Sequence, residues 1–261
     1  MCPLRYSCRI ALVAVFLLSG SGLHAEIVPH RGISFHIYRH DPANGTLELW
    51  LAKEGGKPNT FTEVEARAKA SGKELLFALN AGIFEPDFLP TGLHVSEGKT
   101  VKDLNLQDHK KQREGEFTPN FYLKPNGVFF VRPDGTAGVY ESKEYARAGE
   151  SVRIATQSGP LLVWDGKIHP VLTEDSTSVR YRNGVGVTPD GEIIFACSVL
   201  DVEKGMSNLH NFATLFRDKL NCPDALYLDG DISYIYLKGE TPPITKTNWF
   251  GGIFVVTRPQ P

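Results

Sequence analysis

The sequence predicts a single α+β domain with a mixed β-sheet core, several hairpins and a few packed helices. Three observations lead there. Asp-Gly turns recur between apolar, β-rich runs, at Asp134-Gly135, Asp165-Gly166 and Asp190-Gly191, and this dipeptide is a strong short-range hairpin signal. Two segments carry the apolar stripe and end signals of amphipathic helices. The short runs 75–79, 225–228 and 252–256 are apolar without clean alternation, as strands covered on both faces are. Hairpins interspersed with isolated helices describe α+β rather than a regular β-α alternation.

Taken in order, the chain opens with a segment that does not read as part of the fold. Arg5 and Arg9 precede the uncharged apolar run 10–18, and Ser19-Gly20-Ser21-Gly22 leads to Ala25. That layout predicts a secretory signal peptide over 1–25, its apolar run too short to span a bilayer. A periplasmic or secreted protein, with the domain over 26–261, is the expectation. Without the leader, 26 basic residues face 30 acidic ones. No basic stripe or cluster stands out, so nucleic acid is excluded as a partner. No membrane span is expected after leader removal, and the oligomeric state is not legible. Cys197 and Cys222 are the two cysteines of the mature chain. Export permits a bridge between them, but spacing cannot decide between a bridge and two buried thiols.

Ile33, Phe35 and Ile37 alternate with Ser34, His36 and Tyr38, the period of a half-buried strand. Thr60-Phe61-Thr62-Glu63 fits a capping box, and Phe61, Val64 and Ala68 line one face of a helix that stops at Gly72. Strand 75–80 follows. The Asp-Gly turns then join 127–132 to 136–141, 160–164 to 167–171 and 184–188 to 192–199. A second helix over 208–220 carries Leu209, Phe212, Ala213, Phe216 and Leu220 on one stripe, and Pro223 blocks its continuation. Strands 225–229 and 252–256 complete the set.

The chemically informative places are where polar residues interrupt apolar strands. Strand 75–79 ends in Asn80-Ala81-Gly82, and 225–228 in Asp229-Gly230-Asp231. The run 154–156 passes into Gln157-Ser158-Gly159-Pro160, and Tyr181-Arg182-Asn183-Gly184 opens strand 185–187. Strand ends hold side chains rigidly, and glycine lets a ligand approach the backbone. Each pattern alone is also ordinary turn chemistry; four on one chain point to a shared pocket. No His-Glu-x-x-His, paired Cys-x-x-Cys, EF-hand loop or Gly-x-Ser-x-Gly elbow occurs.

These residues carry a resemblance. Asn80-Ala81-Gly82-Ile83-Phe84, Pro90-Thr91-Gly92-Leu93 and 120–129 are followed by Gln157-Ser158-Gly159-Pro160, Arg182-Asn183-Gly184-Val185-Gly186 and 222–230. In order and spacing the set resembles the phosphodiester glycosidase family, the uncovering-enzyme-like domain in its periplasmic bacterial branch, over about 75–256. Asp229-Gly230-Asp231-Ile232-Ser233 departs from the Asp-Gly-Gly-Gly-Ser of many members. The resemblance implies an exported hydrolase that cleaves a glycosyl-1-phosphate bond, with a phosphorylated glycan or sugar-1-phosphodiester as partner. It nominates Thr91, Gly92, Gln157, Ser158, Gly159 and Ser233 as substrate-binding positions.

A sugar phosphodiester leaves as a phosphate monoester whose second pKa is about 6, so a strong general acid is less necessary than in ordinary glycoside hydrolysis. What remains is to hold the phosphate charge and to activate water or attack the anomeric carbon. Arg182, with a planar fork that matches phosphate oxygens, is the candidate for the first task, aided by backbone N–H groups at Gly92, Gly159 or Gly184 if these form an anion nest. Asp229, after a strongly apolar strand where burial would tune its pKa, is the candidate for the second. Asn80 and Asn183 would hold sugar hydroxyls or phosphate. Glu85, Asp87 and Asp231 are weaker carboxylate candidates. No cofactor is implied. The pattern offers at most a divalent cation at Asp229 and Asp231, two apart and facing one side of a strand. Two rivals share these residues: a non-catalytic binder of phosphoglycan or envelope polymer, and a metal-dependent phosphodiesterase that attacks phosphorus.

Overall fold

A computed structural model describes residues 25–51, 60–111, 113–239 and 249–260; but for Ala25, the expected leader lies outside the described residues. The strands in chain order are β1 (Glu26–His30), β2 (Ile33–His40), β3 (Thr46–Leu51), β4 (Lys73–Asn80), β5 (His94–Ser96), β6 (Lys99–Lys102), β7 (Gly127–Val131) and β8 (Ala137–Glu141). They continue as β9 (Ile154–Ser158), β10 (Leu161–Trp164), β11 (Lys167–Ile168), β12 (Asn183–Val187), β13 (Ile193–Ser198), β14 (Asp224–Asp229), β15 (Ile235–Leu237) and β16 (Gly252–Pro259). The helices are α1 (Phe61–Ala70), α2 (Ser142–Ala148) and α3 (Leu209–Thr214), the last running on into a π-helical turn, Leu215–Lys219.

The α+β expectation holds, and the three Asp-Gly turns close β7–β8, β10–β11 and β12–β13. The strands form three sheets instead of one: β1-β2-β13-β12-β14-β10-β11, β15-β4-β16-β3, and β6-β5-β9-β7-β8. Each pairing between named strands is antiparallel. Short hairpin connections favour this, since a parallel pair needs a long crossover.

The sheets share one core. Phe77 and Leu79 of β4, Phe129 of β7, Phe195 of β13, Leu226 and Leu228 of β14, and Phe254 of β16 are fully buried in one cluster. Each sheet covers its other face separately, which is why the central strands are apolar on both sides. Helix α1 lays Phe61, Val64 and Ala68 against Leu75, Ala78, Ile253 and Val255. Its capping box is formed as expected: Glu63 N–H donates to Thr60 Oγ1, and Thr60 N–H to Glu63. Helix α3 and its π turn press Phe212 and Phe216 onto the outer face of the first sheet. They approach closely because β12 offers glycine there. A Cβ on Gly184 would lie 3.0 Å from the Phe212 ring, and one on Gly186 2.8 Å from both Phe216 and Cys222 Sγ.

Cys197 and Cys222 are buried free thiols. Cys197 belongs to the shared core and Cys222 to the cluster under α3, on the other face of the sheet. Both are held far above the ordinary thiol range by burial. They are therefore inert packing groups.

Candidate active site

The site forms where the first and second sheets meet. Strand β4 delivers Asn80 from the second sheet; β12 and β14 deliver Asn183 and Asp229 from the first. The β12–β14 register shifts between Asn183 and Gly184, so that Gly184 faces Tyr227 while Asn183 faces Asp229. Such a bulge re-aims the strand end, and here it turns the carboxylate toward Asn80. Asn80 Nδ2 donates to Asp229 Oδ2 at 3.0 Å, and the Gly230 N–H donates to Asp229 Oδ1 at 2.7 Å. Asn183 Nδ2 donates to Asn80 Oδ1 at 2.7 Å and to the Asn80 carbonyl at 3.0 Å, while Tyr234 N–H also reaches Asn80 Oδ1. Asn80 Oδ1 thus has both lone pairs occupied, and this fixes the amide so that an Nδ2–H points at the carboxylate. Both asparagines are wholly buried.

Asp229 keeps an accessible edge in a cleft of about 560 Å³. Protein packs around the rest of its carboxyl, and this withdrawal from water raises its pKa from the ordinary 3.8 to about 7. The two donors, Gly230 N–H and Asn80, and the charge of Arg182 pull the other way, while nearby Asp231 adds to the rise. Desolvation dominates, as it does for a carboxyl in an apolar pocket.

Arg182 lines the same cleft and is almost fully buried. Its Nε donates to the Ser207 carbonyl at 3.1 Å, Nη2 to the Ser178 carbonyl at 2.9 Å and Nη1 to the Tyr227 hydroxyl at 3.0 Å. Each partner is neutral, since burial pushes the Tyr227 phenol up to about 12. A guanidinium has five N–H donors; three are fixed by the fold, and the field of the cation is not cancelled by a bonded carboxylate. Helix α3 supports this cage. Asn208 caps the helix through Asn211 N–H and holds the Glu174 and Ser176 carbonyls with its amide. The Arg180–Ser207 bridge ties the same loop to the helix start.

The structure brings Arg182, Asp229, Asn80 and Asn183 together, with the last two behind Asp229 and outside the cleft surface. The other predicted substrate-binding positions do not line the cleft. Gln157 is buried and used at both ends: Oε1 accepts from Leu93 and Asn105 N–H groups, and Nε2 donates to the Asn105 carbonyl and Ser142 Oγ. Gly92 is pressed against it, a Cβ there falling 2.2 Å from Gln157 Oε1. Gly159 packs on Asn126 and the Phe121 carbonyl, and Gly184 on Phe212. Those contacts explain the three glycines without an anion nest. Ser158 Oγ donates to the Leu228 carbonyl and Ser233 Oγ to the Asp229 carbonyl. Thr91 is buried, and its carbonyl accepts from Asn105 Nδ2. Ser158 and Ser233 brace the strand that carries Asp229; Gln157 fastens loops.

Asp231, expected beside Asp229 as a second cation ligand, is exposed and paired with Arg180 at 3.2 Å. Among the described residues no three His, Cys, Asp or Glu side chains gather where a metal ion would be held. The cleft is completed by residues that the sequence did not single out, among them Asn120, Ser178, Arg180, His210 and Tyr227. Tyr227 had a signal: it lies two before Asp229 on one strand, hence on the same face. Asn120 opens the motif run 120–129; Ser178, Arg180 and His210 had no signal.

Comparison with known proteins gives the family and the fold. A family model described as phosphodiester glycosidase matches residues 73–249. The uncharacterized protein YigE of Escherichia coli (strain K12) is 30% identical over 212 residues, which is 81% of this chain and 77% of that one. Among solved structures, the catalytic domain of zebrafish N-acetylglucosamine-1-phosphodiester alpha-N-acetylglucosaminidase, auto-inhibited by its pro-peptide, superposes with a TM-score of 0.60 at 19% identity. That match covers 91% of this chain and 84% of the other. A hypothetical protein from Synechocystis gives a TM-score of 0.56 at 17% identity, over 89% of this chain and 61% of that one. At these identities the two structures establish a shared fold.

Proposed function

Since this chain belongs to the phosphodiester glycosidase family, we propose that it is an exported hydrolase that cleaves the glycosyl-1-phosphate bond of a sugar phosphodiester in envelope or extracellular glycans. One observation carries the reading. A carboxyl with a pKa near 7 and a buried, uncancelled guanidinium face one cleft. The two groups match the two needs of the reaction.

Arg182 holds the phosphate, whose two non-bridging oxygens share one negative charge and suit the remaining N–H donors. Asp229, ionised at and above neutral pH, acts at the anomeric carbon. The C1–O bond breaks, its electron pair leaves on the phosphate oxygen, and a water oxygen takes its place on C1. Asp229 receives the proton of that water directly, or after it has itself bonded to C1. Asn80 and Gly230 N–H fix the carboxylate's orientation, and each hydrogen bond favours its charged form. A general base of this kind contributes roughly 10²- to 10⁴-fold in rate.

The test is a screen of the mature protein against sugar-1-phosphodiesters, reading free reducing sugar. Asp229→Asn should abolish turnover while binding survives. A protein that binds every diester and releases no sugar is the non-catalytic binder. Hydrolysis in ¹⁸O-water separates the remaining rival. Label in the sugar hydroxyl means C–O cleavage; label in phosphate means attack on phosphorus, and the proposed role of Asp229 is then wrong.

A further inference from the structure

We propose that the alcohol esterified to the far side of the phosphate is apolar, so that the substrate is a glycosyl-1-phosphate ester of a hydrocarbon-bearing alcohol. This rests on the hydrolase reading and names its substrate class. The cleft lining is mixed. Arg182, Ser178, Arg180, Asp229 and Asp231 form one polar cluster, joined by hydrogen bond, ion pair and charge. The lining also holds hydrocarbon, Phe117, Pro119, Leu123, Val171, Leu172 and Leu209, from three stretches of chain that also bring Asn120, Thr173 and His210. Two of the apolar residues stand out in water. Phe117 is 76% exposed and Val171 51% exposed, and large apolar side chains grouped at one cleft mark a surface meant to be covered.

A sugar does not suit the apolar lining. Its hydroxyls surround the ring, and each one pressed against carbon without a partner loses its hydrogen bonds to water. The polar cluster offers those partners, next to Asp229, where the anomeric carbon must lie. Phosphate belongs with Arg182. A diester is linear, sugar to phosphate to alcohol. With the first two parts at the polar cluster, the third is left to the apolar residues, where an alkyl chain gains burial and a glycan chain would gain less.

Burial is worth roughly 0.8 kcal/mol per methylene, or about fourfold per carbon. From the methyl to the butyl ester of one sugar-1-phosphate, kcat/KM should therefore rise between about eightfold, for a half-buried chain, and about sixtyfold, for a fully buried one. In Phe117→Ser and Val171→Ser the butyl-to-methyl ratio should fall toward one. Both side chains are exposed, so these variants leave the core intact. Binding of the same two esters to Asp229→Asn, measured by calorimetry, should show the same preference without turnover. A dodecyl ester in phosphatidylcholine vesicles, set against a hexyl ester free in solution, distinguishes a membrane-borne from a soluble source of the hydrocarbon. Equal kcat/KM for methyl and butyl esters overturns the proposal and leaves the hydrolase reading standing. If no ester is cleaved, that reading fails, and the calorimetric ratio decides this one alone: equal affinities overturn it.

Discussion

Replacing Asp229 with Asn should weaken the fold in acid and strengthen it in alkali. The carboxyl has a folded pKa of about 7 against an ordinary 3.8. Its folded form therefore holds a proton that the unfolded chain gives up from about pH 4. The stability associated with that proton is present below pH 4, falls as pH rises from 4 to 7, and is absent above. At 1.36 kcal/mol per unit, the whole effect is on the order of 4 kcal/mol. Asparagine has no charge to desolvate, so it escapes the loss. It has one acceptor oxygen, however, where Asn80 Nδ2 and Gly230 N–H both donate. One donor is left unmet, at about 1–3 kcal/mol. The variant should thus be about 2 kcal/mol less stable than the parent near pH 4 and about 2 kcal/mol more stable near pH 8. The hydrogen-bond loss is common to both ends, so the swing between them is the ionisation effect alone. For a domain of this size, 4 kcal/mol corresponds to roughly 8–16 °C in Tm. Urea titrations of the two proteins, followed by circular dichroism from pH 4 to 8.5, would measure it. A parent-minus-variant difference constant across that range would show that Asp229 ionises normally, and the account of its desolvation would be wrong.

The remaining predictions address the same cleft. If Asp229 works ionised, kcat/KM rises with pH along a limb centred near 7, and Asn80→Ala moves that limb upward because a donor to the charged form is gone. Arg182→Lys keeps the charge but cannot serve the Ser207 and Ser178 carbonyls and the Tyr227 hydroxyl together. It should raise KM for diesters and lower stability by about 3 kcal/mol through unmet buried acceptors, read from steady-state kinetics and thermal melts. Gln157→Leu strands the Leu93 and Asn105 backbone groups and should destabilise by about 2–4 kcal/mol with KM unchanged; a large rise in KM would return Gln157 to the substrate. Chelator treatment should leave hydrolysis intact, since Asp231 is held by Arg180, and loss of activity restored by a divalent ion would refute this.

How much of this could be read from sequence depends on the range of the interaction. The capping box at Thr60 and the Asp-Gly hairpins are decided within a few residues, and they appear where the local chemistry puts them. The three-sheet arrangement is decided by pairings such as β4 with β16, Phe77 opposite Val256, which no local pattern encodes. The site follows the same division. Asn80, Arg182, Asn183 and Asp229 stand out because a polar residue at the end of a buried strand is costly without a reason. Gln157 and Ser158 stand out on the same ground, yet their reason is internal: they bond backbone groups of neighbouring segments. Sequence marks the buried polar residue but not which way it faces. Ser178 and Phe117 sit on loops where polar and apolar residues are equally ordinary, His210 sits in the first turn of α3, and only the fold gathers them.

The buried asparagines show why the site is placed at a seam. A carboxyl raised to about 7 is an unstable holding for a fold once it ionises, and a single strand end could not orient it. Here one donor comes from the second sheet, through Asn80, and the other from the turn that follows β14, through Gly230. Asn80 is itself locked by Asn183 of β12 and by Tyr234 N–H. Rotating the carboxyl would break bonds on both sheets at once, so the packing of the shared core sets its direction. That coupling makes a specific demand on variants. Small changes in the core beneath the seam, such as Leu79→Ala or Leu228→Ala, should reduce turnover beyond what their lost stability explains, because each shifts one sheet against the other. Leu47→Ala, in the same cluster but on a strand that carries no site residue, should cost a similar 2–5 kcal/mol and leave kcat/KM of the folded protein unaltered. Equal kinetic effects from all three would mean that the carboxyl is oriented locally, by its own turn, and that the seam is incidental.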